Sequence, residues 1–589
     1  MQSLVALLMA VSSPAPLVFR LHDGAPDVVR EVLLERGWEE YDPQEQDEGD
    51  WNLYWRTSAF RNFDYENILP WQRLNHHPKT ASISRKDCLA RNLRRMRGTY
   101  GPASYGFSPI AFILPNDYTR FLEEYGKTRL ESAGKPRYWI CKPVDLSRGR
   151  GIFIFSDIKH LAYDSPVIVQ KYISNPLLIS GYKFDLRIYV CVKSFHPLTI
   201  YMHQEGLVRF ATEKYNLDSL DNLFSHLTNT SINKFGPFYT TDKERVGQGC
   251  KWTLSKFRSF LRSQGINELL LWQKINNIVT LTLLTIAPSI PSSPSSLELF
   301  GFDILIDSNF KPWLLEVNYS PALSLDCAAD IMVKKGVIND LIDLMNYRRV
   351  DSLRQQGYLR PRQRRTCCFS SPSLLKKNPA ALLIAKSVYR KERRRESGLN
   401  SLNAEYFECP SVERRGNSEG NTLQDPKAIA VSVNKKASPP QMESPSCWYE
   451  HEGVQSLEDS SVHTWSSANR NTSSKVFSLP AIQSHKYKPT MFSWDHMTHD
   501  RNVPSHRVGD FILTFPFNEV TRKASQDTLD VKTVLHEVHK LTSQLTFSCV
   551  KEKKKKVNNE SSATKKNKCT SLLWGPRNPP SLSEYCSSH

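Results

Sequence analysis

The sequence predicts a mixed α/β (α+β) fold up to about Tyr347, and three observations carry that prediction. Residues Leu17 to His22, Asp27 to Arg36 and Asn52 to Arg56 read strand, helix, strand. Tyr182 to Val192 alternates over a long span, as a half-buried strand does. Gly301 to Asp307 and Pro312 to Asn318 are two apolar runs separated by a short polar turn, the pattern of a hairpin. At 589 residues the chain can hold several domains. Beyond Tyr347, Ser, Lys, Arg, Asn and Pro dominate and periodicity fades, which predicts a mostly disordered tail.

The elements follow in order. The first helix carries Pro26 and Asp27 at its start, as helix N-termini favour. Ser84 to Met96 is a second helix, rich in basic residues such as Arg85, Lys86, Arg91 and Arg94, and Pro115 to Tyr125 is a third, opened by Asn116 and Asp117. Tyr138 to Pro143 is a strand, Ser147 to Gly151 a turn, and Ile152 to Phe155 the returning strand. Pro166 to Ile173 is another strand. In the long strand, Phe184, Leu186, Ile188, Val190 and Val192 fall on one face, whereas Lys183, Asp185 and Arg187 share the other. Ile331 to Met345 is an amphipathic helix that closes the globular part. No repeat of solenoid length is visible.

The formal net charge is +18, which suggests an acidic polymer or surface as partner. Arg and Lys crowd the stretch from Arg348 to Arg395, and Lys551 with Lys553 to Lys556 forms a second run. Such runs also serve as solvated tails or import signals. The 12 cysteines form no CxxC pair, which favours a reducing compartment. Leu4 to Val11 resembles a short signal-peptide core but lacks a basic leader and runs into the first strand, so secretion is not expected. The apolar run Ile278 to Ile286 is too short and Thr-rich to cross a bilayer.

The hairpin carries the chemistry. If Ser308 to Lys311 form a four-residue loop, Asp307 pairs with Pro312, Asp303 lies opposite Glu316, and Asn318 shares their face. One residue more or fewer in the loop would move Asp303 off Glu316. Opposed carboxylates repel unless a cation sits between them, and oxygen donors without His or Cys suit Mg²⁺ carrying a nucleotide phosphate. The alternative is an ordinary hairpin with solvated acids. Arg148-Gly149-Arg150-Gly151 lies between two strands and matches neither GxxxxGK[ST] nor a GxGxxG that opens a helix; it reads as a hairpin lid or an ordinary tight turn. Lys142 adds a point charge upstream of it. Arg187 could stabilise a transferring phosphoryl group or pair with Asp185 for structure. His226 to Asn233 is dense in small polar side chains, as a ligand wall or a capping segment would be.

Taken in order, Trp139 to Pro143, Gly149 to Ile152, Gln170 to Ile173, Lys183 to Arg187, Val208 to Thr212, His226 to Asn229 and Phe302-Asp303 through Glu316-Val317-Asn318 resemble the tubulin tyrosine ligase-like family of ATP-grasp ligases, in its polyglutamylase branch. The resemblance covers roughly Leu17 to Met345. It implies an N-terminal extension (1–16), an N-terminal α/β domain (17–70), a central domain (71–136), an ATP-grasp catalytic domain (137–347), a basic tubulin-binding segment (348–400) and a mostly disordered tail (401–589). It implies that Lys142, Arg148, Gly149, Gln170, Lys171, Tyr172, Ile173, Lys183, Phe184, Asp185, Thr228 and Asn229 hold ATP, and that Asp303, Glu316 and Asn318 bind Mg²⁺. Arg209, Thr230, Ser231, Lys251 and Lys334 would contact free glutamate, although Thr230 stands where many members carry Tyr. Arg148 and Tyr319 would meet the protein substrate, and Arg187 would be catalytic.

The implied activity is ATP-dependent ligation of glutamate to the acidic tails of tubulin, by a monomer in the cytoplasm on microtubules, with the cilium or flagellar basal body as a further expected place. No nucleic acid or membrane partner is expected. A glycine ligase and a catalytically silent microtubule-binding protein are the alternatives.

Overall fold

Alternating apolar residues build three sheets in the computed structural model, which describes residues 15–131, 136–239, 246, 250–266, 268–355 and 504–558, with side chains up to residue 546. The first sheet is parallel, in the order β2 (Glu39–Glu40), β1 (Val18–Leu21), β3 (Leu53–Trp55), β4 (Arg73–Leu74). Helix α1 (Asp27–Glu35) buries Val28, Val29, Val32 and Leu33, a one-sided stripe at helical spacing. That stripe shares a core with Val333, Val337, Ile338 and Leu341 of α6 (Ala328–Leu344).

The second sheet is antiparallel, in the order β5 (Ala111–Leu114), β8 (Val167–Lys171), β6 (Trp139–Pro143), β7 (Phe153–Phe155). Phe121 of α3 (Tyr118–Glu131) packs edge-on against Trp139, with ring centroids 5.1 Å apart. Preceding this sheet, α2 (Lys86–Tyr100) buries Leu89, Leu93 and Met96.

Strand β10 (Tyr182–Phe195) is the spine of the third sheet, which has nine strands. It pairs with β9 (Leu178–Ile179), β11 (Leu198–His203), β12 (Leu207–Lys214) and β14 (Glu298–Ile306); β13 (Lys251–Thr253) extends β12, and β15 (Pro312–Asn318) extends β14. Phe184, Leu186, Ile188, Val190 and Val192 enter one core, as the alternation predicts, and Tyr189 and Cys191 enter a second core on the other face. Helix α5 (Leu269–Leu284) underlies the first core. Among the described residues, Leu269–Ser289 is the one helical stretch long and apolar enough to cross a membrane, and most of its apolar length is buried inside the fold. The start of β14 is anchored by a buried cage: Glu298 accepts from Thr80 Oγ1 (2.7 Å) and the His77 amide (2.8 Å), and its other oxygen meets His76 Nδ1 at 2.6 Å.

Part of the tail expected over 401–589 is folded. Strands β16 (Arg507–Val508) and β17 (Phe511–Phe515) join the nine-stranded sheet, with β17 pairing along β11. Helix α7 (Val531–Asn558) then lays Val534, Leu535 and Val538 into the core that α5 lines. Tyr201 Oη donates to the Ser505 carbonyl (2.8 Å) and Asn277 to Thr542 (2.7 Å), so polar contacts close the same seam. The fold thus continues past residue 347. The N-terminal extension through residue 14, the basic segment beyond 355, the stretch through 503 and residues 559–589 lie outside the described residues, as do the Lys553 to Lys556 side chains.

Phe515 is fully buried between β11 and the core. Phe515→Ala is expected to cost about 3–5 kcal/mol, read as a lower midpoint in denaturant unfolding, and an unchanged midpoint would detach this segment from the fold.

Candidate active site

The hairpin reaches the predicted pairing by an unpredicted route. Ile306, not Asp307, pairs with Pro312, so the loop is residues 307–311 and is one residue longer than the sequence suggests. A bulge at Leu315 absorbs the difference: Ile304 faces Leu314, and Asp303 faces Glu316. The longer loop is organised by Asp307, whose buried carboxylate accepts from the amides of Asn309 (2.9 Å) and Lys311 (3.0 Å) and from Trp313 Nε1 (2.9 Å).

Asp303 is also held from behind. It lies opposite Arg187 in the β10–β14 ladder, and the guanidinium grips both of its oxygens, Nε to Oδ1 at 2.6 Å and Nη2 to Oδ2 at 3.2 Å. Arg209 on β12 reaches Asp303 Oδ2 at 2.8 Å while forking onto Asp185, with Nε to Oδ1 at 2.9 Å and Nη2 on Oδ2. All four side chains are buried. Two guanidinium partners overcome the burial penalty and hold the Asp303 carboxyl well below the usual carboxylate range. Glu316 has no such partner. Burial and the facing Asp303 charge push its carboxyl up. The face therefore carries a fixed carboxylate beside one that stays charged comfortably only with a cation near it.

The hairpin forms one wall of a cleft of about 240 Å³ between the second and third sheets. The cleft brings together Lys142, Arg148, Gly149, Gln170, Lys171, Tyr172, Ile173, Lys183, Asp185, Arg209, Thr228, Asn229, Asp303, Glu316, Asn318 and Tyr319. Lys142 donates to Gln170 Oε1 at 2.9 Å. Lys183 donates to Tyr172 Oη at 2.9 Å, and that hydroxyl is 3.0 Å from His226 Nδ1. Burial, reinforced by the nearby Lys142 charge and opposed by Asp185, brings the Lys183 ammonium down to about 7. Ile140, Leu146, Ile152, Leu305, Leu315 and Val317 give the cleft an apolar share suited to a flat base.

The turn between β6 and β7 joins antiparallel strands, and Ser147, Arg148 and Gly149 bring it to the cleft. Arg148 and Gly149 both take positive φ (60° and 80°), and a Cβ on Gly149 would lie 2.0 Å from Ile232 Cδ1. The Ser231 hydroxyl donates to the Arg148 carbonyl at 3.1 Å. Helix α4 (Thr230–Asn233) thus pins this turn, and Thr230 and Ser231 do not line the cleft. Arg187 stands behind Asp303 rather than on the cleft wall, and Phe184 enters the core. Lys251 and Lys334 converge elsewhere, on the buried Asp330, at 2.6 and 2.8 Å. Tyr319 lines the cleft with its ring stacked on His76, centroids 4.1 Å apart. Sequence reasoning missed Lys86, noted only as part of a basic helix: it lines the cleft and donates to the Leu146 carbonyl at 2.6 Å.

The donor set fits a hard divalent cation. Asp303, Glu316 and Asn318 converge from one face, and the Asn318 amide nitrogen donates to the Gly301 carbonyl (3.2 Å), which leaves its oxygen as the ligand atom. Oxygen donors alone favour Mg²⁺ over zinc. Without added metal, the two carboxylates should behave oppositely. Asp303→Asn, which strips a buried guanidinium of its partner, is expected to cost about 3–5 kcal/mol in denaturant unfolding, whereas Glu316→Gln, which removes a repulsion, is expected to leave stability equal or higher. A large loss in Glu316→Gln would contradict the electrostatic account.

Residues 64–355 match the family model described as the tubulin-tyrosine ligase family. The chain is 46% identical over 551 residues to a human protein named probable tubulin polyglutamylase TTLL2, covering 91% of this chain and 87% of the relative. It is 44% identical over 552 residues to the Mus musculus protein of the same name, covering 90% and 92%. The human protein named tubulin monoglutamylase TTLL4 matches at 40% over 310 residues, 51% of this chain and 25% of that protein. With near-complete coverage of the first two relatives and the cleft in place, the chain belongs to the tubulin-tyrosine ligase family.

Proposed function

We propose that the protein is an ATP-dependent tubulin polyglutamylase, which ligates free L-glutamate to glutamate side chains in the acidic tail of tubulin. The observation that carries the reading is the convergence of Asp303, Glu316 and Asn318 with Lys142 and Lys183 in one cleft between two sheets, the arrangement of an ATP-grasp ligase. The names of the two relatives that cover most of the chain support the tubulin substrate and the glutamate donor. Tubulin places the enzyme in the cytoplasm, on microtubules.

Each group then has a task. The apolar wall takes the base, and Lys142, Lys183 and the lid amides take the phosphates. Mg²⁺ at the three oxygen donors would neutralise charge on the phosphate oxygens. A tail carboxylate accepts the terminal phosphoryl group as an acyl phosphate, and the amine of free glutamate displaces phosphate to form the amide bond. Arg187 and Arg209 hold Asp303 in place for this step, and the lid keeps out water that would hydrolyse the acyl phosphate. Arg209, which lines the cleft, supplies positive charge for a carboxylate of the incoming amino acid, while Lys251 and Lys334 are spent on Asp330.

Incubating the full chain with microtubules, ATP and radiolabelled amino acid should put glutamate, not glycine, into tubulin, with Glu316→Gln reduced to background. Glycine incorporation would move the protein to the runner-up activity, and no incorporation by the unaltered chain would overturn the reading. A pH dependence follows from Lys183. Its buried ammonium carries its charge below about 7, and the burial penalty fades as pH rises from there toward the ordinary value of 10.5. A bound phosphate restores the ammonium, so nucleotide binding at about pH 8 takes up a proton. Calorimetry in buffers of differing ionisation enthalpy should show that uptake, and Lys183→Arg should abolish it.

A further inference from the structure

The segment that completes the large sheet brings two carboxylates and an imidazole together, outside the nucleotide cleft. His203 ends β11, Asp340 comes from α6, and Asp510 sits in the turn between β16 and β17. One ligand-capable atom from each lies within 4.8 Å of the others. His203 is 2% exposed, and its Nε2 makes no hydrogen bond. It faces Asp340 Oδ2 at 3.4 Å. That separation is close to the edge of a tetrahedron with metal–ligand bonds of about 2.0–2.1 Å.

The surroundings orient these atoms. His203 Nδ1 is 2.9 Å from the Glu205 carbonyl and 3.1 Å from the Glu205 amide nitrogen, and these backbone contacts hold the ring's orientation. With Nδ1 protonated, the Nε2 lone pair points at a carboxylate, which is repulsive without a cation between them. Asp340 is held by the Asp510 amide (2.7 Å), and Gly509, at φ +56°, is the only kind of residue that fits there, since a Cβ would lie 2.2 Å from the Asp340 carboxyl carbon. The Asp510 side chain is half-buried, and Arg507 holds its Oδ1 at 2.5 Å. Arg507 also donates to Gln204 Oε1 (2.8 Å) and the Gly509 carbonyl (2.7 Å), so it keeps partners if Asp510 turns inward.

We propose that His203, Asp340 and Asp510 bind a zinc ion that staples the β16–β17 turn to α6 and β11. Mixed imidazole and carboxylate donors select zinc over Mg²⁺, and water supplies the fourth ligand with no change in oxidation state.

The test uses the full chain, stripped with EDTA and reloaded with ZnCl₂ in excess Mg²⁺. Metal content should be higher by one zinc per chain than in Asp510→Asn or His203→Gln, and the apparent zinc affinity of Asp510→Asn should fall at least tenfold. Glu316→Gln should retain the ion, which separates this site from the nucleotide cleft. Zinc should raise the melting temperature of the unaltered chain and not that of Asp510→Asn. Co²⁺ loaded in its place should show weak visible bands without the near-ultraviolet absorption of thiolate ligation. Equal zinc content and equal melting shifts in the unaltered chain and both variants, or a thiolate band lost in neither variant, would overturn the proposal.

Discussion

The arrangement of the cleft depends on one buried chain of charges, Asp185–Arg209–Asp303–Arg187, that crosses three adjacent strands. Charges in a sheet interior persist when each is paired and hydrogen-bonded, and here every carboxylate oxygen of Asp303 meets a guanidinium nitrogen. The ladder register makes this possible, because Asp185 faces Arg209 and Arg187 faces Asp303. The chain fixes Asp303 and leaves Glu316 opposite it without equal support. That asymmetry suits a cation: one donor is anchored, and the other is raised in energy while no positive charge is near it.

Much of this was legible because period-two alternation is a local signal. The two faces of β10 could be assigned from Lys183, Asp185 and Arg187 on one side and Phe184, Leu186 and Ile188 on the other. The opposition of Asp303 and Glu316 could be counted, yet the count succeeded only because two errors cancelled. Asp307 draws the chain into a longer loop through its three accepted hydrogen bonds, and the Leu315 bulge returns the register. The Asp-Ser-Asn sequence at the turn was the available cue, since Asp side chains readily bond to amides two residues on.

What escaped sequence reasoning is long-range. Lys251 and Lys334 meet at Asp330 because β13 lies against the start of α6, a relation that no spacing encodes. Arg187 looks like a group aimed at substrate until the neighbouring strand supplies Asp303 behind the cleft wall. The segment Phe511 to Phe515 was masked by its setting. Its run of apolar residues between Gly509 and Pro516 is a strand signal, but the polar, basic stretches before it carry none. Only the open edge of β11 explains why that run is apolar.

The same edge constrains how the protein is made. Tyr201 and Ser505, joined by a hydrogen bond, are 304 residues apart in sequence. On the ribosome, β11 is therefore translated long before its partner exists, and its amides and carbonyls face solvent or other chains meanwhile. The edge of β11 closes only once Phe515 has been made, and pairing across so long a stretch of chain carries a large loop-closure entropy.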